Sequence, residues 1–317
     1  TSTGGTAVDE DSLYSYSITT SDDDSDSSDT WTISSSTVSW LTMAHTAGAS
    51  TATLSGTPAN GDVGSHSVTI TVADAAGLTD TETFTIVVTN TNDAPTISST
   101  AVTSVDEDSA YSYTTTASDV DVGDTVTLSC TTVPAWLTCT AGALSGTPDN
   151  DDVGSHSVVI TASDGNGGSA TDSFSIAVAN TNDAPTITST AVTAATEDAA
   201  YTYTVTTADV DVNDAVTLTG TTVPSWATFT ASTGVLAGTP LDANVGDNAV
   251  VITASDGDAS VTDTFTIAVA NTNDAPSISS TAVTAVNEDA SYSYSIATSD
   301  DDSDSSDSWT ITSTSVS

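Results

Sequence analysis

The chain contains neither lysine nor arginine. Against 43 aspartates and glutamates it sets three histidines, for a formal net charge of -43. Nucleic acid is thereby excluded as a partner, because binding it needs cationic side chains to displace counterions. An anionic membrane surface is excluded on the same ground. Methionine occurs once and cysteine twice, and aromatic residues make up 5% of the chain. No apolar run approaches the ~20 residues of a spanning helix, so no membrane insertion is expected in this segment. No secretory leader is recognisable, which places any export signal outside this sequence. Asn-x-Ser/Thr acceptors are missing too. Helix-favouring Glu, Gln, Lys and Arg are scarce or absent.

What remains is rich in Ser, Thr, Val and Ala. A uniformly acidic chain reads as disordered, but here the acids are clustered and the apolar residues alternate, as in strands. The chain also repeats. Asn90-Thr91-Asn92-Asp93-Ala94-Pro95 recurs at 180–185 and 271–276, at intervals of 90 and 91 residues. Glu-Asp followed by Tyr-x-Tyr appears at Glu10, Glu107, Glu197 and Glu288. The modules are therefore 1–93, 94–183 and 184–274, with a partial fourth at 275–317. Residues 300–311 reprise 22–33 almost letter for letter, which implies a higher-order repeat of three modules. The chain stops at Ser317 inside the fourth module, so either a longer parent continues or another chain completes it.

In the second module Tyr111 and Tyr113, Val126 to Leu128, Val158 to Ala162 and Phe174 to Val178 each alternate as strands. About seven short strands in ~90 residues, with turns between them and no helical period, predict an all-β fold. The expected architecture is a tandem array of seven-stranded, Ig-like or cadherin-like antiparallel β-sandwiches.

The acids fall at fixed places in each module. Asp119 and Asp121 in the second match Asp209 and Asp211 in the third, Asp22 and Asp24 in the first, and Asp300 and Asp302 in the fourth. A later aspartate recurs as Asp74, Asp164 and Asp256. Asp and Asn favour turns, so solvated turn acids are the plain alternative. Two like charges ~4 Å apart, however, cost on the order of 4 kcal/mol at an effective dielectric of ~20, and no basic residue offsets them. Oxygen donors from Asp, Asn and Glu suit Ca2+, whereas zinc prefers His and Cys.

Taken together, Glu-Asp with Tyr-x-Tyr, Asp-x-Asp, Trp-Leu with Leu-Ser-Gly-Thr-Pro, Ala-Ser-Asp-Gly and Asn-Thr-Asn-Asp-Ala-Pro resemble one known pattern. It is that of the cadherin-like repeats of large bacterial surface adhesins, including their dystroglycan-type and putative-Ig variants. The resemblance covers essentially the whole chain and implies calcium at the module junctions. Carried over residue by residue, the first junction would use Glu10, Asn90, Asn92, Asp93, Asp119, Asp121 and Asp164. The second would use Glu107, Asn180, Asn182, Asp183, Asp209, Asp211 and Asp256. The third would use Glu197, Asn271, Asn273, Asp274, Asp300 and Asp302. Asp22, Asp24 and Asp74 would form half a site facing an upstream module. The cadherin Asp-Arg-Glu motif has no direct counterpart; Asp62 and Asp152 are its candidate substitutes, with Asn244 at that position in the third module.

That resemblance implies a calcium-stiffened extracellular stalk or filament, located at the cell surface or secreted, whose partners are calcium and neighbouring modules or copies of the same protein. An assembling filament subunit is the alternative, and a glycan-binding adhesive module a further one. Trp40, Trp136 and Trp226 share one module position and are expected in the core, as are Trp31 and Trp309. In an oxidising compartment Cys130 and Cys139, which flank a short turn, favour a disulfide. No nucleophile triad and no phosphate loop is specified, so no enzymatic activity is expected.

Overall fold

A computed structural model describes residues 5–21, 32–36, 38–212, 214–300 and 310–314. Asp22, Asp24, Trp31, Asp302 and Trp309 lie outside the described residues. The chain divides into two compact units, Thr1–Ala179 and Asn180–Ser317.

Among the described residues the first unit opens with a module of seven strands: β1 (Ala7–Asp9), β2 (Tyr14–Thr19), β3 (Thr32–Ser35), β4 (Thr42–His45), β5 (Thr51–Gly56), β6 (Gly64–Ala73) and β7 (Thr79–Thr89). They form a four-stranded sheet in the order β1-β7-β6-β3 and a three-stranded sheet β2-β5-β4. Every pairing is antiparallel except that of β1 with β7. The second module repeats this with β8 (Thr96–Ile97), β9 (Ser104–Asp106), β10 (Tyr111–Thr114), β11 (Ala117–Ser118), β12 (Thr127–Thr132), β13 (Leu137–Thr140), β14 (Ala143–Gly146), β15 (Gly154–Ser163) and β16 (Ser169–Ala179). Its sheets run β12-β15-β16-β9 and β10-β14-β13, and a short β8-β11 pair is added at the linker end.

In the second unit the same order returns as β17 (Thr186–Ile187), β18 (Ala194–Thr196), β19 (Tyr201–Thr204), β20 (Thr207–Ala208), β21 (Thr217–Thr222), β22 (Ala227–Thr230), β23 (Val235–Gly238), β24 (Gly246–Ser255) and β25 (Ser260–Ala270). β26 (Ser277–Ile278) and β27 (Thr298–Ser299) then restate the short linker pair. The architecture is an all-β tandem of three sandwich modules of about 90 residues, as the alternation and the repeat period predict.

Each core follows from the period-2 pattern. Along β2 the exposure alternates strictly, so that Tyr14, Tyr16 and Ile18 face inward. They meet Leu54, Val68, Ile70 and Ile86 from the other strands. In the second module Tyr111 stacks edge-on to Trp136 at 5.8 Å, and Tyr113 does so to Phe174 at 5.7 Å. The three equivalent tryptophans are half-buried and pack on the rim of these clusters. The glycine of Leu-Ser-Gly-Thr-Pro makes that packing possible. A Cβ on Gly146 would lie 2.2 Å from the Trp136 carbonyl oxygen, so only glycine lets the tryptophan strand approach.

Two distant motifs meet at the start of each module. The residue after the buried glutamate takes a left-handed backbone, with φ of 58° at Asp11 and 57° at Asp108 and Asp198. Aspartate tolerates this conformation better than most residues. It thereby turns its N–H to the proline carbonyl of Gly-Thr-Pro: Asp11 to Pro58 at 2.8 Å, Asp108 to Pro148 at 2.8 Å, and Asp198 to Pro240 at 2.9 Å. The preceding glutamate donates its own N–H to the last strand, as Glu10 does to the Thr89 carbonyl at 3.0 Å. Glutamate is thus seated where one module hands over to its linker.

In the second module β12 and β13 belong to different sheets, and a disulfide between Cys130 and Cys139 joins them. In the third module the same two positions hold Gly220 and Phe229, and a Cβ on Gly220 would lie 3.1 Å from the Phe229 ring. One inter-sheet gap is therefore filled in two ways.

Burial pushes the phenols of Tyr14, Tyr111 and Tyr201 up to about 12 from an ordinary value of 10.0. The folded state holds the neutral form. Its contribution is complete below the unfolded value of ~10 and is lost as pH rises through about 12. An absorbance titration should show these tyrosines ionising late and together with unfolding; eight tyrosines all titrating near pH 10 in a still-folded chain would contradict the packing.

Candidate metal centre

Within the first unit, the segment 90–93 leads from β7 into the second module, and acidic side chains from both modules gather on it. From the first module comes Glu10, only 1% exposed. Its Oε1 accepts the Thr91 N–H at 2.6 Å, while its buried Oε2 has no hydrogen-bond donor. From the second module comes Asp121, 5% exposed, whose Oδ2 accepts the Asp93 N–H at 2.7 Å. Its Oδ1 is buried and has no donor. Asp119 Oδ1 takes the Asp121 N–H at 3.0 Å, and Asp119 Oδ2 is the third buried carboxylate oxygen left without a donor.

The loop between β11 and β12 brings three carboxylates together. Carboxylate oxygens of Asp119, Asp121 and Asp124 all lie within 4.8 Å of one another. Gly123, at φ 106°, supplies the left-handed residue that folds Asp124 back toward Asp121. Like charges at such range repel by on the order of 4 kcal/mol at an effective dielectric of ~20. No lysine or arginine exists anywhere to absorb that cost.

Asp164, the residue after β15, also reaches the linker. Its Oδ1 accepts three backbone N–H groups, from Asn166 at 2.7 Å, Gly168 at 3.0 Å and Gly167 at 3.1 Å. Its Oδ2 accepts the Asn92 amide at 2.8 Å. That amide first, and the three backbone N–H groups next, hold the carboxyl below the usual aspartate range against the opposing effect of burial. The ionised form is therefore the one the fold builds around. Asn60, on the short 3-10 turn Asn60–Asp62, donates its amide to Asp93 Oδ2 at 2.5 Å.

The second unit repeats the arrangement around 180–183. The Asp183 N–H reaches Asp211 Oδ2 at 2.7 Å, and the Asn182 amide reaches Asp256 Oδ2 at 3.2 Å. The Asp211 N–H meets Asp209 Oδ1 at 3.1 Å. Asp209 Oδ2 and Asp211 Oδ1 are buried without a donor. Backbone N–H groups, that of Ala259 foremost, hold Asp256 below its usual range. Asp214 shifts upward, through loss of hydration and then through the charges of Asp211 and Asp209. Glu197, 2% exposed, accepts the Thr272 N–H through Oε1, and its Oε2 is buried without a donor.

Other sequence-marked residues are placed as follows. Glu107 is buried to 1% exposure and donates its N–H to Ala179. Asn90, Asn180 and Asn271 are exposed. The amides of Asn92, Asn182 and Asn273 each close on the carbonyl of the following aspartate, which shapes the linker. Asp274 and Asp300 are half-buried. Asp74 Oδ1 accepts the Leu78 N–H of its own hairpin. Asp62 and Asp152, the candidate substitutes for the missing motif, each hold a turn through one carboxylate oxygen. Each caps its own 3-10 turn, Asp62 through the Ala59 N–H at 3.0 Å and Asp152 through the Asp149 N–H at 3.2 Å. His66 and His156 bond the carbonyls of Asp62 and Asp152 and are not part of the acidic cluster. Sequence spacing did not reveal Asn60, whose partner lies 33 residues away.

The donor set fits a hard divalent cation, because buried carboxylate oxygens from two modules face no donor among the described residues. Asp121→Asn provides a direct check. An amide keeps the acceptor for the Asp93 N–H and removes one charge from the Asp119–Asp124 group. In chelator this variant should melt higher than the parent by calorimetry; a lower midpoint would show that the crowded charges are not a burden.

The family profile described as Putative Ig domain matches residues 1–89, 94–179 and 184–270. No match was found among curated proteins. Among solved structures, the PcdhgB3 EC1-4 structure is 16% identical, with a TM-score of 0.50, over 84% of this chain and 74% of that one. Human CDH23 EC21-23 is 16% identical, with a TM-score of 0.48, over 71% of this chain and 80% of that one. The endo-fucoidan hydrolase MfFcnA4 from glycoside hydrolase family 107 is 25% identical, with a TM-score of 0.28, over 84% of this chain. The match spans only 43% of that hydrolase's length.

Proposed function

We propose, from the premise that this chain belongs to the Putative Ig domain family, that it is a non-catalytic extracellular repeat segment whose linkers bind calcium and are stiffened by it. The observation that carries this reading is the trio of buried, donorless oxygens on Glu10, Asp119 and Asp121 in a chain without lysine or arginine. Asp93 on the same linker, and Asp164, which accepts the amide of the linker's Asn92, are the further carboxylates available to such an ion.

An all-oxygen site of flexible geometry favours calcium over magnesium, which keeps its waters and demands a strict octahedron. Extracellular modules bind calcium weakly, at ~10⁻⁴ to 10⁻³ M, and the extracellular medium supplies it. The Cys130–Cys139 disulfide accords with an oxidising compartment. In this role the modules supply reach. An ion tying Glu10 of one module to Asp119 and Asp121 of the next fixes their angle, and without it mutual repulsion frees the linker. Used in series, such joints make the stalk or filament of a bacterial surface adhesin.

Calcium should stabilise the fold by about 2.7 kcal/mol per site at a hundredfold excess over Kd, and so raise the melting temperature. Magnesium at equal concentration should do much less. Small-angle scattering should show a narrower spread of dimensions with calcium than with chelator. Asp121→Asn should remove most of the gain. Identical melting and scattering in calcium and chelator would overturn the reading.

A further inference from the structure

Two Asn-Gly dipeptides occur in the chain, at 60–61 and 166–167, and both touch the acidic linker site. An asparagine before glycine is chemically exposed. Glycine carries no side chain to shield its backbone nitrogen from the asparagine side-chain carbonyl carbon.

At 166–167 the backbone explains the glycine. Gly167 sits at φ 117°, where other residues are strained, and its N–H is held by Asp164 Oδ1 at 3.1 Å. At 60–61 the backbone does not. Gly61 has no positive φ, and a Cβ there would meet nothing within 4 Å. The same turn position is Asp151 in the second module and Ala243 in the third. Among the described residues the Gly61 N–H meets no turn or loop acceptor, and the residue is exposed. The turn has no structural need of the one residue that leaves Asn60 open to attack.

We propose that Asn60 is a site of spontaneous deamidation, which adds a carboxylate to the linker site at 90–93. The Gly61 nitrogen loses its proton and bonds to the Asn60 side-chain carbonyl carbon. The C–N bond to the amide breaks, and the amide nitrogen leaves as ammonia after taking up a proton. Water then opens the cyclic imide to aspartate or isoaspartate; no oxidant or enzyme is needed. The product loses the donor that Asn60 offers Asp93 and sets a negative charge in its place. The fold accommodates such a group, since the third module carries Asp242 at the equivalent position. The modification stands on the backbone alone. Its effect on the joint rests on the calcium reading: more repulsion without the ion, and one more anionic oxygen for it.

The test is incubation of the full chain at mildly alkaline pH in chelator, followed by peptide mapping. Cleavage at aromatic or acidic residues is required, because trypsin has nowhere to cut. The peptide containing Asn60 should gain one mass unit roughly ten times faster than that containing Asn166, and Gly61→Ala should slow the gain by a similar factor at an unchanged melting temperature. Equal rates at the two asparagines, or a rate indifferent to Gly61→Ala, would overturn the proposal. Separately, Asn60→Asp should shift the midpoint of a calcium titration. Mass gain without that shift would retain the modification and remove only its link to calcium.

Discussion

The dominant constraint on this protein is a surplus of buried negative charge with no internal cation. Glu10, Glu197, Asp121 and Asp211 are all at least 95% buried, in a chain with no lysine or arginine. Burying an unpaired carboxylate is costly enough that proteins otherwise pair it or neutralise it. Here the backbone does part of that work. Linker N–H groups at Thr91 and Asp93 each satisfy one oxygen of a carboxylate, and the other oxygen is left facing its neighbours. On the proposed account a divalent ion supplies the rest, so the linker becomes rigid only when it is present.

The sandwich serves this arrangement. The parallel pairing of β1 with β7 puts Glu10 beside the strand that runs into the linker. The left-handed Asp11 clasps Pro58, and the Tyr14 hydroxyl donates to the Gly5 carbonyl at 2.9 Å, pinning the approach to β1. A defect in the core at the Tyr-x-Tyr strand would therefore reach the acidic site through a short, stiff path. Deamidation at Asn60 would act on the same site through Asp93.

Much of this could be read from the sequence because it repeats. Strict alternation along Tyr14 to Thr19 fixes an inward face, and three copies of each motif separate fixed positions from variable ones. The repeat also marked Glu10, Asp121 and Asp164 as junction acids, which the structure brings to one linker. Other features depend on contacts that no linear spacing encodes. Asp62 and Asp152 read as spare acids in the sequence, and the structure adds that each also caps its own turn three residues back. Asn60 looks like a turn residue, yet its amide reaches Asp93. The tryptophans recur as core residues would, and they pack against the core clusters while staying only partly buried. The short β8-β11 pair is two residues wide, too small to leave a pattern.

The central claim is that oxygens of successive modules share an ion at the linker. Diffraction from crystals of this chain grown with calcium tests it most directly. The account predicts density for a cation ~2.3–2.6 Å from carboxylate oxygens of Glu10, Asp119 and Asp121. Hydrogen-bonded water alone at those oxygens, in crystals grown at millimolar calcium, would contradict it.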